Sequence, residues 1–326
     1  MLFKRVATPR VGWYGLGSMG LPMAMNLQRY LFNTLEPSLT YYNRTISAGE
    51  PLDELGAVAA TSLLDLVKKC DIIFTMLAND KVVTQSVDAI TRSDTPLDKK
   101  IFIDCSTVHP DTTDLVSKTL SALGAVFLSA PVFGGPAVAA SGSLVFAIGG
   151  PRPRAVDVCR YIEGVMGRKV VECGEEAKNA ALLKIGGNIV TLSMMEAVGE
   201  AQVFAEQTGL GTDAMEELIT ESFGPVAGGY SKRLTSGIYA PPLETRPGFG
   251  VSLGIKDAEH ALSLAKRVDA RLPGVEIAHG NMQSARDYAG ECLDSSSMYG
   301  ILRMEAGMSF WNDASQGEDP GQQQTR

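Results

Sequence analysis

The chain has 326 residues, 45% apolar and 20% charged, with 29 Lys and Arg against 37 Asp and Glu and a formal net charge of −8. So apolar a chain can offset the entropy of ordering, which excludes disorder throughout, and the length holds one large domain or two ordinary ones. An acidic balance with no basic run argues against nucleic-acid binding, five scattered Cys with no C-x-x-C predict free thiols in a reducing compartment, and His109, His260 and His279 are too dispersed for a zinc-spaced cluster.

Residues 1–10 are basic but lack the apolar stretch of a signal peptide, so a cytoplasmic protein is expected. Val11–Tyr14, Leu39–Tyr42, Asp71–Leu77 and Ile101–Asp104 read as strands, with helical patterns at Met19–Leu31, Ser62–Lys69 and Asp111–Leu123 between and after them. Continuous apolar strands suit a parallel sheet buried on both faces, and their alternation with helices implies βαβ units. Ala125–Leu128, Leu144–Ile148 and Lys169–Glu172 add strands, with a helix at Arg154–Met166. Beyond Gly174 the strand signals fade. Glu176–Thr208 reads as one long helix, followed by helical patterns at Asp213–Ser222, Lys256–Arg267 and Val275–Ala289. Gly, Ser or charge interrupts every long apolar run, so no membrane span is expected. The five Cys and the Met194-Met195 pair read as buried filler. The predicted architecture is α/β. It has a doubly wound domain over residues 1–174, a long interdomain helix leading into an all-α domain over 175–311, and a disordered polar tail over 312–326.

The sharpest local signal is Gly15-Leu16-Gly17-Ser18-Met19-Gly20, a G-x-G-x-x-G directly after a strand and at the mouth of a helix. The first Gly permits a tight turn, the second lets backbone approach a pyrophosphate, and the third allows close helix–strand packing. The helix N-terminus then faces the phosphate charge. At the end of the second strand, Asn43-Arg44-Thr45 offers no carboxylate for a ribose 2′-hydroxyl. Arg44 can pair with a 2′-phosphate and Thr45 can hydrogen-bond it, which points to NADP(H) rather than NAD.

Within the long helix, Lys184 and Asn188 are spaced i, i+4 and share a face. Gly186 and Gly187 each cost about 1 kcal/mol relative to Ala in a helix interior, a cost tolerated where something must approach the helix closely. A lysine aimed from this notched helix into a cleft is partly desolvated and can exchange a proton with a substrate hydroxyl. Read alone, Lys184 better fits a lysine whose stem lies along an amphipathic helix with its ammonium in water.

Four motifs taken in order resemble the β-hydroxyacid dehydrogenase family, which includes 3-hydroxyisobutyrate dehydrogenase and glyoxylate/succinic semialdehyde reductases. They are the loop from Gly15 to Ala24; Asp104-Cys105-Ser106-Thr107 with Ala130-Pro131-Val132-Phe133-Gly134-Gly135 and Gly142-Ser143-Leu144; Lys184-x-x-x-Asn188; and Gly248-Phe249-Gly250 with Lys256-Asp257. The resemblance runs from Arg10 to about Gly307. It implies a 6-phosphogluconate dehydrogenase-type NADP-binding domain of Rossmann type. It assigns Lys184 as general acid/base, with Asn188 beside it. Asn188, Ser106, Phe133, Gly134 and Gly135 line the implied substrate site, the glycines through backbone N–H groups. The loop from Gly15 to Gly20 with Asn43, Arg44, Thr45, Leu77, Ala78, Thr107, Phe249 and Lys256 would contact cofactor. It also implies a homodimer or homotetramer built through the helical domain, with a small-molecule substrate. The expected reaction interconverts a short β-hydroxy acid and its semialdehyde or oxo acid.

Two positions depart from the family's usual Asp-Ala-Pro-Val-Ser-Gly-Gly: Ser129 replaces the Asp and Phe133 the Ser. Phe133 removes a hydroxyl and adds apolar bulk. That keeps open a carbonyl or imine reductase for bulkier apolar substrates, and Lys184 and Asn188 argue against a non-catalytic dinucleotide-binding protein. Tyr230, Lys232 and Arg233 are further pocket candidates without a motif.

Overall fold

The computed structural model describes residues 8–315. The basic segment read at residues 1–10 lies outside them up to position 7, and so does the expected tail from position 316. The described chain forms two compact units, one ending at Lys184 and the next beginning at Ile185.

In the first unit, β1 (Val11–Tyr14) runs into α1 (Gly20–Asn33), then β2 (Thr40–Tyr42), α2 (Glu50–Asp53), β3 (Val58–Ala59) and α3 (Leu63–Lys69). Next come β4 (Ile72–Thr75), α4 (Asp80–Thr91), β5 (Ile101–Asp104), α5 (Pro110–Ser121) and β6 (Val126–Ser129). These six strands form one parallel sheet in the order β3-β2-β1-β4-β5-β6. Neighbouring residues of a strand enter opposite cores. Trp13 and Phe74 stack at 5.7 Å in the layer that holds Leu27 and Leu31, while Ile73 and Phe102 join Leu66, Val67 and Val83 in the other. Burial on both faces is why β1, β4, β5 and β6 are largely apolar, whereas β3 at the sheet edge is exposed. The strand order reverses between β1 and β4, and in doubly wound sheets ligands bind at that switch point, beyond the carboxyl ends of the strands.

A second, three-stranded sheet follows, from β7 (Val132–Phe133), β8 (Leu144–Ile148) and β9 (Gly167–Glu172), with α6 (Pro136–Ala140) and α7 (Arg152–Cys159) between them. Backbone bonds in both directions between Ser129 and Gly149 tie it to β6. The helix expected over Arg154–Met166 stops at Cys159. Its later apolar residues, Ile162 and Met166, are buried from a turn closed around Gly164 (φ +74°) rather than from a helical stripe.

The second unit is helical. The long α8 (Ala177–Gln207) crosses from the first unit into it, and α9 (Thr212–Thr235), α10 (Val251–Arg267), α11 (Pro273–Ala289) and α12 (Met298–Glu305) follow. Ile185, Leu192 and Met195 of α8 pack with Ile255, Ala258, Met282 and Tyr299 in one core. By length and composition α8 is apolar enough to cross a membrane, with a mean hydropathy of 1.3, contrary to the sequence expectation of no such segment. A core helix that buries an apolar stripe passes the same test. The helix read over Asp213–Ser222 continues to Thr235 through a kink at Gly224 (φ +84°) and Pro225. Asn312, where the polar tail is expected to begin, is held by the helical unit. Asn312 Nδ2 donates to the carbonyls of Leu234 (3.0 Å) and Thr235 (3.2 Å), and its N–H donates to Tyr239 Oη (2.9 Å). A polar residue with no apolar face is fixed because the last carbonyls of α9 need donors.

Candidate active site

The turn from β1 to α1 is shaped by its glycines. Gly15 adopts φ +103°, and a Cβ there would lie 2.3 Å from the carbonyl oxygen of Met76; a Cβ on Gly20 would lie 2.0 Å from that of Gly15. The loop is thus pressed against the end of β4, where only glycine fits. No side chain caps α1 and no acid sits in its first turn. An uncapped helix start of this kind offers N–H groups and a positive dipole end to an anion. Asn43 Oδ1 accepts from Leu16 N–H (2.9 Å) and Asn43 Nδ2 donates to the Thr45 carbonyl (2.7 Å), so Asn43 braces the loop against the end of β2. Arg44 and Thr45 beside it are exposed. The donor set therefore fits the pyrophosphate of a dinucleotide, with Arg44 the cation at the strand tip.

Across the switch point, Ser106 is 2% exposed and its bonds are internal. Its hydroxyl donates to Asp104 Oδ1 (2.6 Å) and accepts from Leu77 N–H (2.8 Å). Ser106 is expected to face substrate; in the structure its hydroxyl fixes the Leu77-Ala78 turn. The same Asp104 oxygen accepts from Thr75 Oγ1 (2.8 Å) and Ser106 N–H (3.1 Å). Burial pushes the Asp104 carboxyl above its ordinary range, against the hydrogen bonds that favour its charge. Asn79 caps α4 by accepting from Val82 N–H (3.0 Å), which anchors the far side of that turn. Thr107 follows Ser106 and is half-buried.

Phe133 ends β7 and Gly134 turns the chain at φ +123°, exposed, with Gly135 at the start of the short α6. The ammonium of Lys184 sits 4.6 Å from the centroid of the Phe133 ring. Ser129 is buried at the end of β6. Beyond its chain neighbours and the backbone of its own helix, no atom of the described residues lies within 4 Å of a Cβ built on Gly186.

In the second unit, Asn188 is 3% exposed and its Nδ2 donates to Asp257 Oδ2 at 2.6 Å, while Lys256 Nζ lies 3.0 Å from Asp257 Oδ1. Phe249 is held through its backbone: its N–H donates to Asp294 Oδ2 (3.0 Å) and its carbonyl accepts from Ser295 N–H (2.6 Å). Asp294, fully buried, also pairs with Arg233 Nη1 (3.1 Å) and accepts from Ser296 Oγ (2.7 Å). Arg233 thus has a place in the motif's support, and its guanidinium lies 5.7 Å from the Tyr230 ring centroid. Asp294 is the residue that sequence reasoning missed. Among the Cys expected to be buried, Cys70 and Cys105 are, Cys159 and Cys173 are half-buried and Cys292 is exposed; all five are free. Burial raises the Cys105 thiol well above its ordinary value, so nothing activates it beside the loop.

In the first unit the structure brings the loop, Asn43, Leu77 and Ser106 together, and separately Phe133 with Lys184; in the second it brings Asn188 and Lys256 together on Asp257, and Phe249 onto Asp294. Lys184 and Asn188 stand one turn apart on α8.

Residues 10–174 match the family described as the NAD binding domain of 6-phosphogluconate dehydrogenase, and residues 179–302 the one described as NAD-binding of NADP-dependent 3-hydroxyisobutyrate dehydrogenase. An NADH-dependent oxidoreductase of Aspergillus ustus is 34% identical, over 90% of this chain and 98% of its own length. The mitochondrial 3-hydroxyisobutyrate dehydrogenase of Drosophila melanogaster is 31% identical, over 90% of each chain. Among solved structures, Mycobacterium tuberculosis 3-hydroxyisobutyrate dehydrogenase with L-serine is 25% identical, covers 91% of this chain and 99% of that one, and has a TM-score of 0.73.

Proposed function

The chain belongs to the β-hydroxyacid dehydrogenase family of nicotinamide-dependent oxidoreductases, and from that premise we propose that it uses NADP(H) to interconvert a short β-hydroxy acid and its semialdehyde or oxo acid. The observation that carries the reading is the pair on α8, Lys184 against Phe133 and Asn188 one turn on.

The nicotinamide, when bound, takes up or returns a hydride at the carbon that bears the oxygen. The chain's own work is binding and proton movement. In oxidation the neutral amine of Lys184 removes the substrate's hydroxyl proton, and in reduction its ammonium returns a proton to the carbonyl oxygen. Asn188, oriented by Asp257, holds the substrate oxygen or carboxylate. The backbone at Gly134 and Gly135 offers N–H groups to the carboxylate, fixed in place before substrate arrives. Ser106 acts at one remove, by holding Leu77 for the cofactor. Phe249 and Lys256 are the remaining cofactor contacts in this reading, together with Ala78 and Thr107. The substrate class draws support from the relatives, one a 3-hydroxyisobutyrate dehydrogenase and one solved with L-serine, itself a β-hydroxy acid. The preference for NADP(H) rests on exposed Arg44 and the absence of a carboxylate at Asn43-Arg44-Thr45; the Aspergillus ustus relative is NADH-dependent by name, which makes the choice testable. Assembly as a homodimer or homotetramer through the helical unit belongs to the proposal and is read by sedimentation velocity.

A second reading, reduction of bulkier apolar ketones or cyclic imines, is favoured by Phe133, which puts an aromatic ring where a hydroxyl would bind a small acid. The test is oxidation of NADPH and of NADH against semialdehydes, glyoxylate, oxo acids, apolar ketones and cyclic imines. Turnover of a small semialdehyde or oxo acid with NADPH supports the first reading. Turnover of only apolar ketones or imines replaces it with the second.

A further inference from the structure

We propose that Phe133 is a positioning residue for Lys184: the face of its ring seats the lysine ammonium at the place from which the proton is exchanged. The inference rests on the reading that Lys184 moves that proton. The Lys184 Nζ lies 4.6 Å from the ring centroid, inside the roughly 6 Å over which a ring face attracts a cation. Both partners are held from behind. Phe133 is paired in antiparallel register with Val145, and its neighbour Val132 is 4% exposed. The next residue, Gly134, turns so tightly that a Cβ there would lie 2.8 Å from both Leu144 and Val138, so the strand end has little freedom to shift. On α8, Ala181 and Ile185 flank Lys184 and are each 2% exposed, which fixes the helix rotation from which the lysine projects.

An aromatic face differs in kind from a hydroxyl at this position. A hydroxyl attracts an ammonium by accepting one of its three N–H bonds, and so occupies a donor and fixes its direction. The ring presents negative charge density with no lone pair, so it orients the ammonium without itself accepting one of its N–H bonds. It also favours the cation over a retracted, solvent-facing rotamer of a side chain with large rotamer freedom.

The test compares Phe133→Leu, which keeps apolar bulk without the ring face, with Phe133→Tyr, which keeps the face, and runs Lys184→Ala beside them. Each is assayed in steady state with the carbonyl substrate that the wild-type protein reduces, and its melting temperature is recorded. Positioning predicts that Phe133→Leu lowers kcat about 3- to 10-fold with KM within about twofold, and that Phe133→Tyr restores kcat to within about twofold of wild type. Equal kcat for wild type and Phe133→Leu overturns the inference. So does a Phe133→Leu defect confined to KM, which would make the ring only a pocket wall, or a defect that Phe133→Tyr shares. Should Phe133→Leu melt well below wild type, Phe133→Met supplies the same comparison. Retained turnover in Lys184→Ala overturns the reading beneath the inference, whereas loss of turnover there with an unaffected Phe133→Leu overturns the inference alone.

Discussion

Asn188 Nδ2 donates to Asp257 Oδ2 at 2.6 Å, and Lys256 Nζ stands 3.0 Å from the other oxygen of the same carboxylate. One buried acid therefore orients two residues for which the family resemblance implies different partners, substrate for Asn188 and cofactor for Lys256. Asp257→Ala removes the acceptor that both share. It is expected to lower kcat/KM about tenfold or more, and to cost about 1–3 kcal/mol of stability, because buried donors are left with a weaker set of partners. Unchanged kinetics in a folded Asp257→Ala variant would contradict the shared role.

Ser106 joins Asp104 to Leu77 through one hydroxyl. Ser106→Ala leaves the Leu77 N–H and the Asp104 carboxylate each short of a partner, at a cost of about 1–3 kcal/mol. If the hydroxyl positions the cofactor turn, the variant raises KM for the cofactor more than KM for the carbonyl substrate. A defect in substrate KM alone would return Ser106 to the substrate site.

How much of this was legible in the sequence follows from the range of each interaction. The Gly15 to Gly20 turn is specified within one loop, where a positive φ and a close approach each demand glycine, and it was read directly. So were five of the six strands of the parallel sheet, because burial leaves apolar runs; β3, two residues long and exposed, leaves none. The short α6, Pro136–Ala140, is one turn long, and the start of α10 alternates apolar Val251, Leu253 and Ile255 with Ser252 and Gly254, so neither shows a helical period. The supports of the site were not legible at all. Asn188 and Asp257 are separated by 69 positions, and Arg233 and Asp294 by 61, and a hydrogen bond over such a distance leaves no pattern in the chain. Phe133 was visible as a departure from the family, but its place against Lys184 emerges only once β7 and α8 are packed.

Arg44 is exposed at the end of β2, with no carboxylate among its immediate neighbours Asn43 and Thr45. Arg44→Ala is expected to raise KM for NADPH about tenfold, since a charge-assisted contact to a 2′-phosphate is lost. KM for NADH should stay within about twofold, because NADH carries no such phosphate. Equal losses for both cofactors, or for neither, would remove Arg44 from the selection.

Glu196 on α8 is 3% exposed; Asn281 Nδ2 donates to its Oε1 at 2.6 Å. Burial, reinforced by Glu200 and Glu305, pushes its carboxyl from the ordinary 4.5 up to about 7, against the opposing hydrogen bond from Asn281. Between those values the folded protein keeps a proton that the unfolded chain has lost, so stability falls as pH rises through that window. The loss attributable to Glu196 is about 1–3 kcal/mol. Glu196→Gln cannot titrate, and thermal melts at about pH 5 and about pH 8 should differ less than those of wild type. An unchanged difference would place the pH dependence elsewhere.

The central claim is that Lys184 moves the substrate proton, and the most direct measurement is the kcat of Lys184→Ala beside its NADPH affinity by nucleotide fluorescence. A general acid/base contributes about 10²- to 10⁴-fold, so the account predicts a loss of kcat of that size with the Kd for NADPH within about threefold of wild type. Turnover at the wild-type rate in a variant that still binds NADPH would contradict it.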